Sequence, residues 1–110
     1  MIIEKTDLAT IIKSDEISVE NFFIDFSKKY TNFIGTNIIV DFSDLKGVKT
    51  ESILLFLQHS KKHVKNGMSF VIVVNGIDAD ILPDGLVTVP TITEAKDIIE
   101  MDNIERDLGF

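Results

Sequence analysis

The sequence has no cysteine and no tryptophan, and only two prolines and two histidines among its 110 residues. Without cysteine there is no disulfide, no thiolate nucleophile and no thiolate metal site. Long apolar runs are absent as well: the most apolar stretch, Met68 to Val74, is far shorter than the roughly 20 residues of a membrane-spanning helix. The opening residues become charged at Glu4 and Lys5, so no signal peptide is read and a cytoplasmic protein is expected. Phosphate loops of the Gly-x-Gly-x-x-Gly or Gly-Lys-Ser/Thr kind are missing, as is the Gly-x-Ser-x-Gly elbow. Nucleotide transfer and serine hydrolysis therefore lack their geometric core.

What is present is a globular composition, 45% hydrophobic and 26% charged, at a length that suits a single domain spanning residues 1–110. The net charge of −7 makes nucleic acid and anionic membrane poor partners, because an acidic chain is repelled by phosphate. A protein or a cation fits better. The charge is also segregated. Residues 1–77 hold nine acids and nine bases, whereas residues 78–110 hold nine acids against Lys96 and Arg106. Such asymmetry points to association and steering, or to a solvated helical face.

Hydrophobic periodicity gives an alternating order of elements. Ile2-Ile3 and Leu8 to Ile12 read as two short strands with a turn at Lys5-Thr6-Asp7, an opening hairpin or a pair of edge strands. Ser18 caps a helix whose apolar positions Val19, Phe22, Phe23, Phe26, Tyr30 and Phe33 recur at steps of three and four. Asn37 to Phe42 is a strand apolar on both faces, the mark of burial between helices. A second helix runs from about Glu51 to Lys65; it is apolar almost all round at Ile53 to Leu57, which predicts deep packing of its first half. Phe70 to Val74 is the next buried strand. A loop over Asn75 to Gly85, a short strand Leu86 to Val89 and a final helix follow, the last capped by Thr91 with Glu94 at capping-box spacing. Ile92, Ala95, Ile98 and Ile99 form its inner face. The tail from Met101 to Phe110 reads as a separate turn or a bend, with Ile104, Leu108 and Phe110 folding back. The whole is an α/β sandwich with about five strands in a mixed sheet and three to four helices, in the order β-β-α-β-α-β-(α)-β-α.

From Asn37 onward the chain resembles the STAS domain, the sulfate-transporter and anti-sigma-factor-antagonist module. The resemblance rests on Ile38-Ile-Val-Asp41-Phe-Ser43, Lys49-Thr50-Glu51-Ser52 at a helix start, the lysine-bearing helix ending Lys65-Asn-Gly67, the strand Phe70 to Val74, and Val87-Thr-Val-Pro-Thr-Ile-Thr-Glu-Ala95. It implies a STAS-like, non-enzymatic regulatory scaffold that binds other proteins. In the anti-sigma-factor antagonists it also implies a switch by serine phosphorylation in an Asp-Ser-Ser-Gly-like turn. Here that turn is degenerate: Lys49 stands at the acid, Thr50 at the first serine, Glu51 at the usual phosphoacceptor and Ser52 at the glycine. Three readings follow. Glu51 is an ordinary first-turn acid behind a Thr50 cap, or Thr50 or Ser52 is a displaced acceptor, or the turn is a permanently unphosphorylated contact surface. Asp44, Lys49, Thr50, Glu51 and Ser52 are the candidate interaction residues. The expected partner is a protein, such as an anti-sigma-factor-like kinase or another regulator, and a homodimer is an option.

Rival chemistries are weaker in the sequence. The alternative within the same fold is a small-molecule or nucleotide-binding domain, since ligands collect at the C-terminal ends of parallel strands. His59 and His63 are four apart on the second helix and could share a metal, yet Lys61 and Lys62 lie between them and no third ligand is near. They read as a solvent-facing pair. A metal-dependent hydrolase of the ribonuclease Z kind needs a His-x-His-x-Asp-His cluster that two histidines cannot make. Asp78, Asp80 and Asp84 fall short of a calcium loop because Leu82 and Pro83 interrupt them. No cofactor and no metal is expected.

Overall fold

The strands in the computed structural model, which describes residues 1–109, fall on the β-branched runs of the sequence. β1 (Ile2–Lys5) and β2 (Thr10–Lys13) pair antiparallel, with Ile3 opposite Ile12, across a turn closed by the Thr6 N–H donating to the Ala9 carbonyl at 2.9 Å. β3 (Ile38–Asp41), β4 (Phe70–Val73) and β5 (Val87–Val89) add in parallel. The result is one five-stranded mixed sheet in the sequential order β1-β2-β3-β4-β5. Every residue of β3 and β4 is buried, as a continuous apolar run requires when both faces of a parallel strand are covered.

The period-two pleat sorts these side chains onto two faces. One face, with Ile12, Ile38, Val40, Phe70 and Ile72, packs under α1 (Val19–Lys29) and under the helical stretch between β3 and β4. That stretch is built from α2 (Thr50–Ile53), a 3-10 turn (Leu54–Phe56) and α3 (Leu57–Lys65). The opposite face, with Ala9, Ile11, Ile39, Val71 and Val73, is covered by α4 (Ile92–Asp107) through Ala95 and Ile99. The α1 stripe supplies the aromatic core. Phe22 meets Phe42 edge to face at 5.0 Å, and Phe26 meets Phe70 the same way at 6.0 Å, the arrangement that ring quadrupoles favour.

The caps predicted at Ser18 and Thr91 form. The Ser18 side chain accepts from the Asn21 N–H and the Thr91 side chain from the Glu94 N–H, each at 3.1 Å. The Thr91 hydroxyl in turn donates to Glu94 Oε1 at 3.2 Å.

Two helical expectations are corrected. Deep packing of the first half of the second helix holds for Ile53 and Phe56, but Leu54 and Leu55 are 39% and 38% exposed. A helix lying on one sheet has one face to bury, and the backbone tightens into a 3-10 turn at these leucines. The tail is not a separate turn either. α4 continues unbroken to Asp107 and stops at Gly109, whose φ of +81° suits a helix end, so Ile104 and Leu108 point outward instead of folding back. Phe110 lies outside the described residues. The distal half of α4 is held to the sheet by polar contacts: Arg106 Nη2 donates to Ser69 Oγ at 2.9 Å, and Ser69 Oγ donates to Asp102 Oδ2 at 2.6 Å.

Candidate functional site

The segment that carries the predicted residues begins where β3 ends. Asp41 Oδ1 accepts the Ser43 N–H at 2.9 Å and the Leu45 N–H donates to the Phe42 carbonyl at 3.0 Å, which turns the chain sharply off the strand. Asp44 then reaches back to Lys13 of β2, with Nζ and Oδ2 2.9 Å apart, and this contact raises the lysine pKa above its ordinary 10.5. Both groups are solvent-exposed, so the bridge orients the turn more than it stabilises the fold. Gly47, at φ +69°, allows the left-handed step that returns the chain toward the sheet.

α2 starts without a side-chain cap. Lys49 occupies the cap position and accepts the Ser52 and Ile53 N–H groups on its carbonyl, so Thr50 is the first helical residue and not the cap expected from the sequence. The extended backbone at Lys49 places the boundary one residue earlier, and lysine has no oxygen to offer the free amides. Ser52 is engaged elsewhere: its hydroxyl donates to Glu20 Oε2 of α1 at 2.5 Å. This bond, followed by a backbone hydrogen bond to the carboxylate and last by the charge of Lys49, holds the Glu20 carboxyl below its usual 4.5.

The bond between Ser52 and Glu20 bridges an open groove of about 260 Å³ between the start of α1 (17–20) and the segment 45–49 with Ser52. Of the five predicted residues, Lys49 and Ser52 line the groove. Asp44 faces Lys13, Thr50 is half-buried at the helix start, and Glu51 projects into solvent. Sequence reasoning missed the α1 wall. Ile17 is 93% exposed just before the Ser18 cap, and Ser18, Val19 and Glu20 complete that side. The cap itself was a readable signal, but nothing local says that it lies beside residues 45–52.

The histidines depart most from expectation. His63 is 0% exposed: its Nδ1 is 2.8 Å from the Tyr30 hydroxyl and its Nε2 2.6 Å from the Thr36 carbonyl. His59 is half-buried, with Nε2 2.9 Å from Ser27 Oγ. The pair therefore faces α1 and the turn after it instead of solvent, because polar partners on those elements satisfy both rings inside the fold. Burial is the main cause that lowers both pKa values below 6.5. Among the described residues, no group of three or more His, Cys, Asp or Glu could hold a metal ion, and no helix is long and apolar enough to cross a membrane.

The sheet order, with two helical units on one face and α4 on the other, defines a STAS-like α/β domain. Two solved structures carry the likeness. A serine-to-glutamate variant of RsbS from Moorella thermoacetica superposes with a TM-score of 0.62 at 20% identity, over 90% of this chain and 96% of that one. The NMR structure of the protein TM1081 superposes with a TM-score of 0.59 at 17% identity, over 89% and 86% of the two chains. At these identities the likeness is one of fold. No protein-family model and no curated protein sequence matches the chain.

Proposed function

We propose that residues 1–110 act as one non-enzymatic regulatory domain that binds another protein through the groove beside the turn from β3 to α2. The observation that carries this reading is the groove itself, which sets Ile17, 93% exposed, together with Leu45 and Val48 beside Lys46, Lys49 and Ser52. Apolar area ringed by polar groups is the arrangement of a contact surface. The STAS-like fold supports it, since the antagonists that the sequence resembles use this same turn. At about 260 Å³ the groove is smaller than the roughly 300–1,000 Å³ of ordinary small-molecule pockets. Glu51, exposed at the helix start, supplies a permanent negative charge where the resemblance implies an acceptor, and a kinase-type regulator is the partner class that this position suggests.

The test is copurification from native lysate with the unaltered chain, Ile17→Asp and Glu51→Lys, all three shown to be equally stable. A partner retained by the unaltered chain and lost from both variants supports the reading. Equal recovery with all three, or saturable thermal shifts with nucleotides in place of any partner, overturns it. Phosphate incorporation by a kinase found in the complex, compared between Thr50→Ala and Ser52→Ala, then separates a displaced acceptor from an unmodified surface.

A further inference from the structure

α4 is apolar on two opposite sides. Ala95 and Ile99 are buried against the sheet, yet Met101, Ile104 and Leu108 are 62%, 59% and 65% exposed. At about 3.6 residues per turn, Asp97, Met101, Ile104 and Leu108 form one stripe at i, i+4, i+7 and i+11, opposite the buried face. Single apolar residues on a surface need no explanation, but a contiguous stripe does. Exposed Glu100 and Asp107 flank it, while Lys96 turns toward a separate groove beside β1 and β2.

The other face of the sheet presents a counterpart. Leu54 and Leu55 are partly exposed, and Gln58, Lys61, Lys62 and Lys65 follow, all exposed. Leu54, Gln58, Lys61 and Lys65 repeat the same spacing in the opposite sense, apolar first and charged last. Each stripe covers eleven residue steps, about 16 Å of helix. Laid antiparallel, Leu54 meets Leu108 and Gln58 meets Ile104, while Lys65 meets Asp97 and Lys61 lies at Met101 beside Glu100. Like faces are disfavoured by their net charge: two α4 faces would each bring Asp97, Glu100 and Asp107 to the contact, and two 54–65 faces would each bring Lys61, Lys62 and Lys65.

We propose that the chain assembles head to tail with further copies of itself, the acidic apolar face of α4 on one copy seating on the face of leucines and lysines formed by the 54–65 segment of the next. The two surfaces lie on opposite sides of the sheet, so each contact leaves one of each kind free and assembly proceeds past the dimer.

Sedimentation velocity of the full chain from micromolar to near-millimolar concentration tests this, with Ile104→Asp to disable one face and the double change Lys61→Glu, Lys65→Glu to disable the other. Every altered side chain is exposed, and circular dichroism and Tm verify that the variants fold. The unaltered chain is expected to form species larger than a dimer that grow with concentration and shrink as salt is raised. Each variant should associate about tenfold or more weakly. An equimolar mixture of the two folded variants should form a one-to-one pair that does not grow, since each supplies the face the other lacks. A monomer at all concentrations, a closed dimer, association indifferent to the substitutions, or failure of the mixture to pair overturns the proposal.

Discussion

Tyr30→Phe is expected to destabilise the protein although it leaves the packing of the ring intact. The Thr36 carbonyl can only accept, so His63 Nε2 carries the ring hydrogen and Nδ1 accepts from the Tyr30 hydroxyl at 2.8 Å. His63 is fully buried, and removing the phenol oxygen leaves the Nδ1 lone pair without a partner. An unsatisfied buried acceptor costs about 1–3 kcal/mol. For a chain of this length that corresponds to a fall in Tm of about 4–12 °C. Ser27→Ala removes the matching partner of His59, but that ring is only half-buried and water can replace the hydroxyl, so its cost is about 0.5 kcal/mol. Urea unfolding at slightly alkaline pH, followed by far-UV circular dichroism, measures both; fluorescence would fail because Tyr30 is the only tyrosine and there is no tryptophan. Adding His63→Leu to Tyr30→Phe should cost less than the two single changes together, since the orphaned acceptor disappears. If Tyr30→Phe is no more destabilising than Ser27→Ala at an unchanged denaturant slope, the phenol is not holding the imidazole and the reasoning fails.

Burial, with Arg106 adding to it, keeps His63 below 6.5 despite its bond to Thr36, and burial with Lys62 and His63 does so for His59. The unfolded chain then takes up protons that the folded chain refuses, so stability should be complete above about pH 6.5 and fall as pH drops below it; a midpoint that rises into acid would contradict this. Phe56→Ala, at the centre of contacts with Phe22, Phe26, Phe42 and Phe70, should cost about 3–5 kcal/mol in chemical unfolding. Leu55→Ala, one residue away but partly exposed, should cost about 1 kcal/mol or less in the same assay, and equal effects would restore the all-round packing that the sequence suggests. Thr91→Ala removes the α4 cap and should lower stability by about 1 kcal/mol, with Thr91→Ser recovering most of it.

Much of the architecture was legible because it depends on short-range pattern. The runs at Ile38 to Asp41 and Phe70 to Val73 are apolar on both faces, and only strands covered from both sides tolerate that. Ser18 and Thr91 mark helix starts by a chemistry that acts within three residues. The candidate site was legible in half. The turn at 44–52 was placed, but the α1 wall with Ile17 and Glu20 was not, because the contact between Ser52 and Glu20 joins residues 32 apart in sequence.

Taken alone, the amino-acid order determined the element types, their succession, the caps at Ser18 and Thr91 and the crowding of acid into the final third of the chain, since each follows from neighbours within a turn of helix or a few strand residues. Tertiary structure decided which side of a helix is covered. His59 and His63 look like solvent-facing residues in a lysine-rich segment until α1 brings Ser27 and Tyr30 against them. Leu54 and Leu55, like Ile104 and Leu108, look like core until the sheet is seen to occupy only one side of each helix. Periodicity reports that a face is apolar; only the arrangement of the layers decides whether the fold covers that face or leaves it for another molecule.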